Sequence, residues 1–263
     1  MRFSTEAELN KWVSAAQSLW LFLDYDGTLV KFSRTPENLD PNKELIELIK
    51  RLADKAHLRV AIISGRRLQD LQTLLPGGGI YLAATYGIEI ITPEGKRIQR
   101  EDYSRIRPYL QRLKPHWQEI IGERKGFYLE DKGWSLAVHA RYASEQDARQ
   151  VISSIQHTLD QDLITDEFRL IKNNRFLEVT TARAHKGKAV SFLLDSFPMP
   201  EARLVYIGDD DHDSEAFETI HSLGGIAIAV AQYFGYVRSR GGDYVMRSPK
   251  AVRRWLGKLL KWF

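Results

Sequence analysis

The sequence predicts an α/β protein: a doubly wound sheet of parallel strands into which a separate α+β domain is inserted. Three observations lead there. Short apolar runs rich in β-branched and aromatic residues recur, each followed by a polar or glycine-bearing turn and then by a helical pattern. Between about Arg100 and Thr181 that rhythm gives way to paired, alternating strands with helices beside them. Charged and hydroxyl residues collect where the apolar runs stop, which is where open parallel sheets bind ligands.

Taken in order, "LWLFLDYDGT" begins with five apolar residues, the length of a strand rather than a helix. A helical pattern over Asn42 to Lys55 follows, then "LRVAIISGRR", a helix over Leu68 to Leu75, a loop at Gly77 to Gly79, and "GIYLAATYGIE". After the interruption, a helix over Lys188 to Phe197 leads to "ARLVYIGDDD". Near-continuous apolar strands need helices on both faces of the sheet. The interrupting segment reads as a helix over Ile106 to Ile121, strands "GFYLEDKG" and "WSLAVHARY", a helix over Ser144 to Leu159, and strands "FRLIKNN" and "RFLEVTT". Alternating strands in pairs suit an antiparallel sheet with one face covered. The boundaries fall at residues 1–101 and 182–263 for the core and 102–181 for the insertion. Val252, Trp255, Leu256, Leu259 and Leu260 recur at helical spacing, so the last segment is a helix packed on the body with lysines outward.

At 43% hydrophobic and 27% charged the composition is that of a globular domain, and runs such as "IAIAV" are too short to cross a bilayer. The amino-terminal "MRFSTEAELNKWV" lacks a secretory apolar core, so a cytoplasmic location is expected. The absence of cysteine excludes disulfides and thiolate chemistry. A net charge of +4 from 38 basic and 34 acidic residues, dispersed along the chain, gives no nucleic-acid module and no membrane patch.

The chemistry gathers at four points. Asp24 and Asp26, two apart, can face one ligand from an extended backbone, and Gly27 permits the turn after them. Ser64 follows a second strand, with Gly65 allowing close backbone approach and Arg66 adding a cation. Lys186 stands before Gly187 at the start of a helix. Asp209, Asp210, Asp211 and Asp213 close a third strand, and that much negative charge in one pocket demands a cation. Oxygen ligands without cysteine point to a hard ion, Mg²⁺.

In order, "DYDGT", "SGR", "HKGKA" and "GDDDHD" resemble the four motifs of the haloacid dehalogenase superfamily of phosphotransferases, whose core is Rossmann-like. An insertion between the second and third motifs resembles the C2-type cap of its sugar phosphatases. "LFLDYDGTL", "EDKGWSLAVHAR" and "FLEV", with "GDD" followed by a phenylalanine, resemble the trehalose-6-phosphate phosphatases. The resemblance implies Asp24 as nucleophile, Asp26 as general acid and base, Ser64 and Lys186 on the phosphoryl group, and Mg²⁺ held by Asp24, the backbone carbonyl of Asp26, Asp209 and Asp213. Asp210 would support the metal less directly. It implies a small sugar phosphate as ligand, met by Arg66 and by the insertion's Glu130, Lys132, His139, Arg141 and Glu178, and functional association with a sugar-phosphate synthase. Other glycosyl phosphates, such as sucrose 6-phosphate or mannosyl- or glucosyl-3-phosphoglycerate, suit the same motifs, and a non-catalytic sugar-phosphate-binding subunit is the alternative of another class. The chain departs from the family pattern at Tyr86, where histidine is usual, at His212, where threonine is usual, and at Ser214, where glutamate is usual.

Overall fold

A computed structural model describes residues 2–31, 39–159, 167–209, 211–231 and 241–263. Asp210 therefore lies outside the described residues. The chain divides into two compact units, residues 1–98 with 185–263, and residues 99–184.

The first unit is built on eight strands in the order β12-β11-β10-β1-β2-β3-β4-β5. These are β1 (Leu19–Leu23), β2 (Leu58–Ile63), β3 (Tyr81–Ala84), β4 (Glu89–Ile91), β5 (Arg97–Gln99), β10 (Arg203–Gly208), β11 (Ile226–Val230) and β12 (Tyr244–Met246). From β12 across to β3 all pairings are parallel, and β4 turns back antiparallel on β3. β1 is central and every one of its five residues is buried, as its unbroken apolar run requires.

Alternation along β1 splits the core in two. Leu19, Leu21 and Leu23 join a cluster with helices α1 (Glu6–Ser14), α2 (Lys43–Ala53), α3 (Leu68–Leu74) and α8 (Pro249–Trp262). Trp20 and Phe22 point the other way, onto α6 (Lys186–Ser196) and α7 (Asp213–Ser222). Helices thus cover both faces, and the expected doubly wound sheet is the one observed. Each helix starts for a local reason: Thr5 and Glu8 form a capping box on α1, the Asn42 side chain accepts from Leu45 N–H on α2, and Ser248 caps α8 with Pro249 in the first helical position.

The second unit is a four-stranded antiparallel sheet in the order β6-β7-β9-β8, made of β6 (Tyr128–Asp131), β7 (Ser135–His139), β8 (Phe168–Asn173) and β9 (Phe176–Thr181). Leu136, Val138, Leu177 and Val179 are buried along β7 and β9, and α4 (Tyr103–Ile121) packs on β7 with Ile106, Leu110, Leu113 and Trp117 buried. α5 (Glu145–His157) packs against α4 and buries Val151, Ile152 and Ile155. α4 begins three residues earlier than its apolar spacing indicates, because Asp102 accepts from Ser104 N–H and caps it there.

Candidate active site

Three adjacent parallel strands end side by side, and each delivers one polar residue. Asp24 follows β1, Ser64 follows β2 and Asp209 follows β10, with β1 between the other two. All three are buried, at 4%, 2% and 0% exposure. Asp24 extends the ladder by donating its N–H to the Ile207 carbonyl at 2.9 Å, so its backbone position is set by the sheet itself.

Lys186 reaches this edge from another direction, as the first residue of α6, whose N-terminus is capped by the His185 ring accepting from Lys188 N–H at 3.3 Å. Its Nζ donates to Asp24 Oδ1 at 2.8 Å and to Asp213 Oδ1 at 2.6 Å, and it is 3% exposed. Asp213 is the first residue of α7. Its Oδ1 also accepts from the Tyr206 hydroxyl at 2.7 Å, and its Oδ2 accepts from Asp209 N–H at 2.9 Å. Asp213 therefore joins Lys186 to the backbone that presents Asp209. Burial, reinforced by the Asp213 carboxylate, pushes the Tyr206 phenol well above its ordinary pKa, so it stays a hydrogen-bond donor.

Carboxylate oxygens of Asp24, Asp209 and Asp213 lie within 4.8 Å of one another, all on buried residues. Among the described residues, three buried carboxylates gather around the ammonium of Lys186, and that much negative charge in a low-dielectric site is strongly unfavourable without a further cation. An all-oxygen donor set suits a hard divalent ion, and the residues present fit one. Thr28 donates its hydroxyl to Asp209 Oδ1 at 3.3 Å. Gly27, at φ +89°, lets the chain pass over that carboxylate, since a Cβ there would fall 2.3 Å from Asp209 Oδ2.

Asp26 sits in the turn after Asp24, closed by Gly27 N–H donating to Val30 O at 2.8 Å. Its carboxylate is held by Arg66, with Nε at 2.5 Å and Nη2 at 2.7 Å from its two oxygens. The Arg66 guanidinium also lies 5.8 Å from the centre of the Tyr25 ring, and burial with the nearby Asp26 charge pushes that phenol up to about 12. Ser64 Oγ accepts from Arg66 N–H at 3.2 Å, which turns the SGR segment tightly on itself.

In the second unit the sheet register assembles the other sequence-predicted residues. Tyr128 and Phe176 stand opposite His139 on either side, and Glu130 and Glu178 stand opposite Ala137. Because side chains alternate, these six share one face. Lys132 Nζ lies 3.0 Å from Glu178 Oε1 and 3.9 Å from Glu130 Oε2, and Glu130 Oε2 lies 2.9 Å from His139 Nε2. The Ser135 hydroxyl donates to Glu178 Oε1 as well. Glu178 is fully buried, which an ionised carboxylate tolerates only with such partners. Arg141 lies exposed in the turn beyond β7, past the last residue of that strand.

Sequence alone gives no reason to single out Tyr206 or Thr28. Tyr206 sits within an apolar strand run where it reads as one more core aromatic, and only its polar tip meeting Asp213 gives it a second duty.

The trehalose-phosphatase family profile matches residues 22–241. A trehalose-phosphate phosphatase of Mycobacterium marinum is 27% identical over 252 residues, spanning 91% of this chain and 60% of its own. A trehalose 6-phosphate phosphatase of Zea mays is 26% identical over 260 residues, with 91% and 69% covered. The chain thus spans roughly two thirds of the length of these relatives. Among solved structures, the C-terminal domain of a trehalose-6-phosphate phosphatase of C. albicans superposes with a TM-score of 0.83 at 18% identity, covering 100% of this chain and 99% of that one. Haloacid dehalogenase-like hydrolases share the fold too. With the profile spanning motifs from Asp24 to Asp213, the chain belongs to the trehalose-phosphatase family of phosphoric monoester hydrolases.

Proposed function

We propose that the protein hydrolyses trehalose 6-phosphate to trehalose and inorganic phosphate through an aspartyl-phosphate on Asp24. The observation that carries the reading is the buried grouping of Asp24 with Lys186, Asp209 and Asp213 at the ends of adjacent strands.

In the first step an Asp24 carboxylate oxygen attacks phosphorus and the bond from phosphorus to the sugar oxygen breaks. Asp26, in its protonated form, gives its proton to the leaving sugar oxygen. In the second step Asp26 takes a proton from water, whose oxygen attacks phosphorus and releases Asp24 and phosphate. Lys186, already 2.8 Å from Asp24, offsets charge on the nucleophile and on the transferring group. Ser64, whose Oγ accepts from Arg66 N–H, has its own proton to donate to a phosphoryl oxygen. Asp24, Asp209 and the backbone carbonyl of Asp26, with Asp213 in support, would hold Mg²⁺, which when bound would supply charge that screens nucleophile from phosphate. Arg66 both orients Asp26 and brings a cation to the phosphate.

The second unit, read as a cap domain, supplies specificity. Glu130 and Glu178 accept from sugar hydroxyls while Lys132, His139 and Arg141 donate. A phosphate-release assay on a panel of sugar phosphates tests the reading. Turnover of trehalose 6-phosphate well above glucose 6-phosphate and sucrose 6-phosphate supports it, and strong release from another member with none from trehalose 6-phosphate sinks it. Association with a sugar-phosphate synthase belongs to the same proposal, and co-purification with such an enzyme from the native source is its test.

A further inference from the structure

Tyr86 ties together more of the first unit's polar edge than its place in the sequence suggests. β3 ends at Ala84, and Thr85 and Tyr86 then adopt φ of +46° and +54°, a region that residues with a Cβ rarely occupy. Such a conformation persists only where its surroundings over-determine it. Here Thr85 N–H donates to Arg66 O at 2.8 Å, Tyr86 N–H donates to Ser64 O at 2.8 Å, and His185 N–H donates to Tyr86 O at 3.2 Å. The Tyr86 backbone is thus joined on one side to Ser64 and on the other to the residue before Lys186.

Its side chain is placed with equal economy of space. The ring is 7% exposed and lies against Gly65, where a Cβ would fall 2.6 Å from Cζ and 2.7 Å from the hydroxyl oxygen. It meets His212 in an edge-to-face arrangement, at 6.3 Å between ring centres and 65° between planes, and His212 directly precedes Asp213. One residue therefore meets the segments that carry Ser64, Lys186 and Asp213.

We propose that Tyr86 is a positioning residue for phosphoryl transfer, whose ring, wedged between Gly65 and His212, holds the Ser64 turn, the start of α6 and the start of α7 in register. This rests on the reading that Asp24, Ser64 and Lys186 perform that transfer. The ring pins a left-handed backbone that would otherwise relax, and relaxation carries Ser64 and His185 with it through their shared hydrogen bonds. Displacement of reacting groups by about 1 Å can cost a hundredfold in rate.

The test is steady-state kinetics on two substrates, trehalose 6-phosphate and p-nitrophenyl phosphate, with thermal melting of each variant alongside. Tyr86→Ala should lower kcat about ten- to a hundredfold on both substrates and change KM less than about threefold. Tyr86→Phe, which keeps the ring, should recover kcat to within about threefold of the unmutated protein. Gly65→Ala should lower kcat because its Cβ displaces the ring, and the double variant Gly65→Ala with Tyr86→Ala should be no slower than the slower single one. Equal loss in Tyr86→Phe and Tyr86→Ala would overturn the proposal in favour of the hydroxyl. Undiminished kcat in Tyr86→Ala, or loss confined to trehalose 6-phosphate, would overturn it as well, the latter making Tyr86 a sugar contact. If the unmutated protein turns over the aryl phosphate but not trehalose 6-phosphate, the substrate reading fails and the role of Tyr86 is still decided on the aryl phosphate.

Discussion

Arg66 grips Asp26 with two nitrogens of one guanidinium, Nε on one carboxylate oxygen at 2.5 Å and Nη2 on the other at 2.7 Å. The pair is largely withdrawn from solvent, with side chains 12% and 20% exposed, so the contact fixes direction as well as charge. A lysine in place of Arg66 keeps the charge and loses the fork. Arg66→Lys should therefore reduce kcat about tenfold, with a shift in melting temperature of only a few degrees. Unaltered kcat would mean that the orientation of Asp26 does not limit the reaction.

Asp24→Asn should abolish phosphate release to about a thousandth or less, since an amide oxygen does not form the phosphoenzyme. The same variant relieves repulsion among three neighbouring buried carboxylates, so metal-free protein should melt no lower than the unmutated chain. Phosphate release at the normal rate would remove Asp24 from its assigned role.

Chelation with EDTA should stop turnover and added Mg²⁺ should restore it. Mg²⁺ should also raise the melting temperature, because an ion that binds only the folded chain stabilises it by about 2.7 kcal/mol at a hundred times its Kd. In Asp209→Asn the thermal shift should vanish. A shift that survives this change would place the ion elsewhere.

Glu178→Gln should raise KM for trehalose 6-phosphate about tenfold under the proposed role in sugar binding, since the carboxylate that holds Lys132 at 3.0 Å becomes a weaker acceptor. Turnover of p-nitrophenyl phosphate, which carries no sugar, should fall far less. Parallel losses on both esters would assign Glu178 to the stability of the sheet.

Asp131 ties β6 to α4 through Arg107 at 2.6 Å and 2.9 Å and through Lys114 at 3.0 Å. The Arg107 guanidinium above all holds its carboxyl well below the usual carboxylate range. A depressed carboxyl adds stability that is fully present above its unfolded pKa of about 3.9 and is lost as pH falls through the lower folded value. Asp131→Asn should lower stability at pH 7 by about 1 kcal/mol, discounted for partial exposure, and the gap from the unmutated chain should close progressively below about pH 4. A gap that stays constant into acid would mean the ion pair contributes nothing.

Much of this was legible in the order of residues. β1, β2, β3 and β10 announce themselves by apolar runs of strand length, and Asp24, Ser64 and Asp209 stand out because polarity begins abruptly where those runs end. What went unassigned has a common cause. β4, β5 and β12 are three residues each, too short for a period to declare itself, and α7 begins amid aspartates that read as ligands before they read as a helix start. For the sheet face of the second unit the sequence offers only the alternating pairs Glu130 with Lys132 and His139 with Arg141, and Glu178 separately. Register then put Glu130 and Glu178 on either side of Ala137 and left Arg141 in the turn beyond the strand.

The sequence by itself determined the kind of fold and the kind of chemistry, because burial period and the side-chain types at strand ends are local properties of the chain. Tertiary structure decided the partnerships: that Arg66 lies on Asp26, that Asp213 joins Lys186 to Asp209, and that Tyr86 is wedged on Gly65 beside His212. Each of these contacts except that between Asp213 and Asp209 joins residues more than twenty positions apart, and distances of a few ångströms between such groups exist only once strand order has brought their segments together.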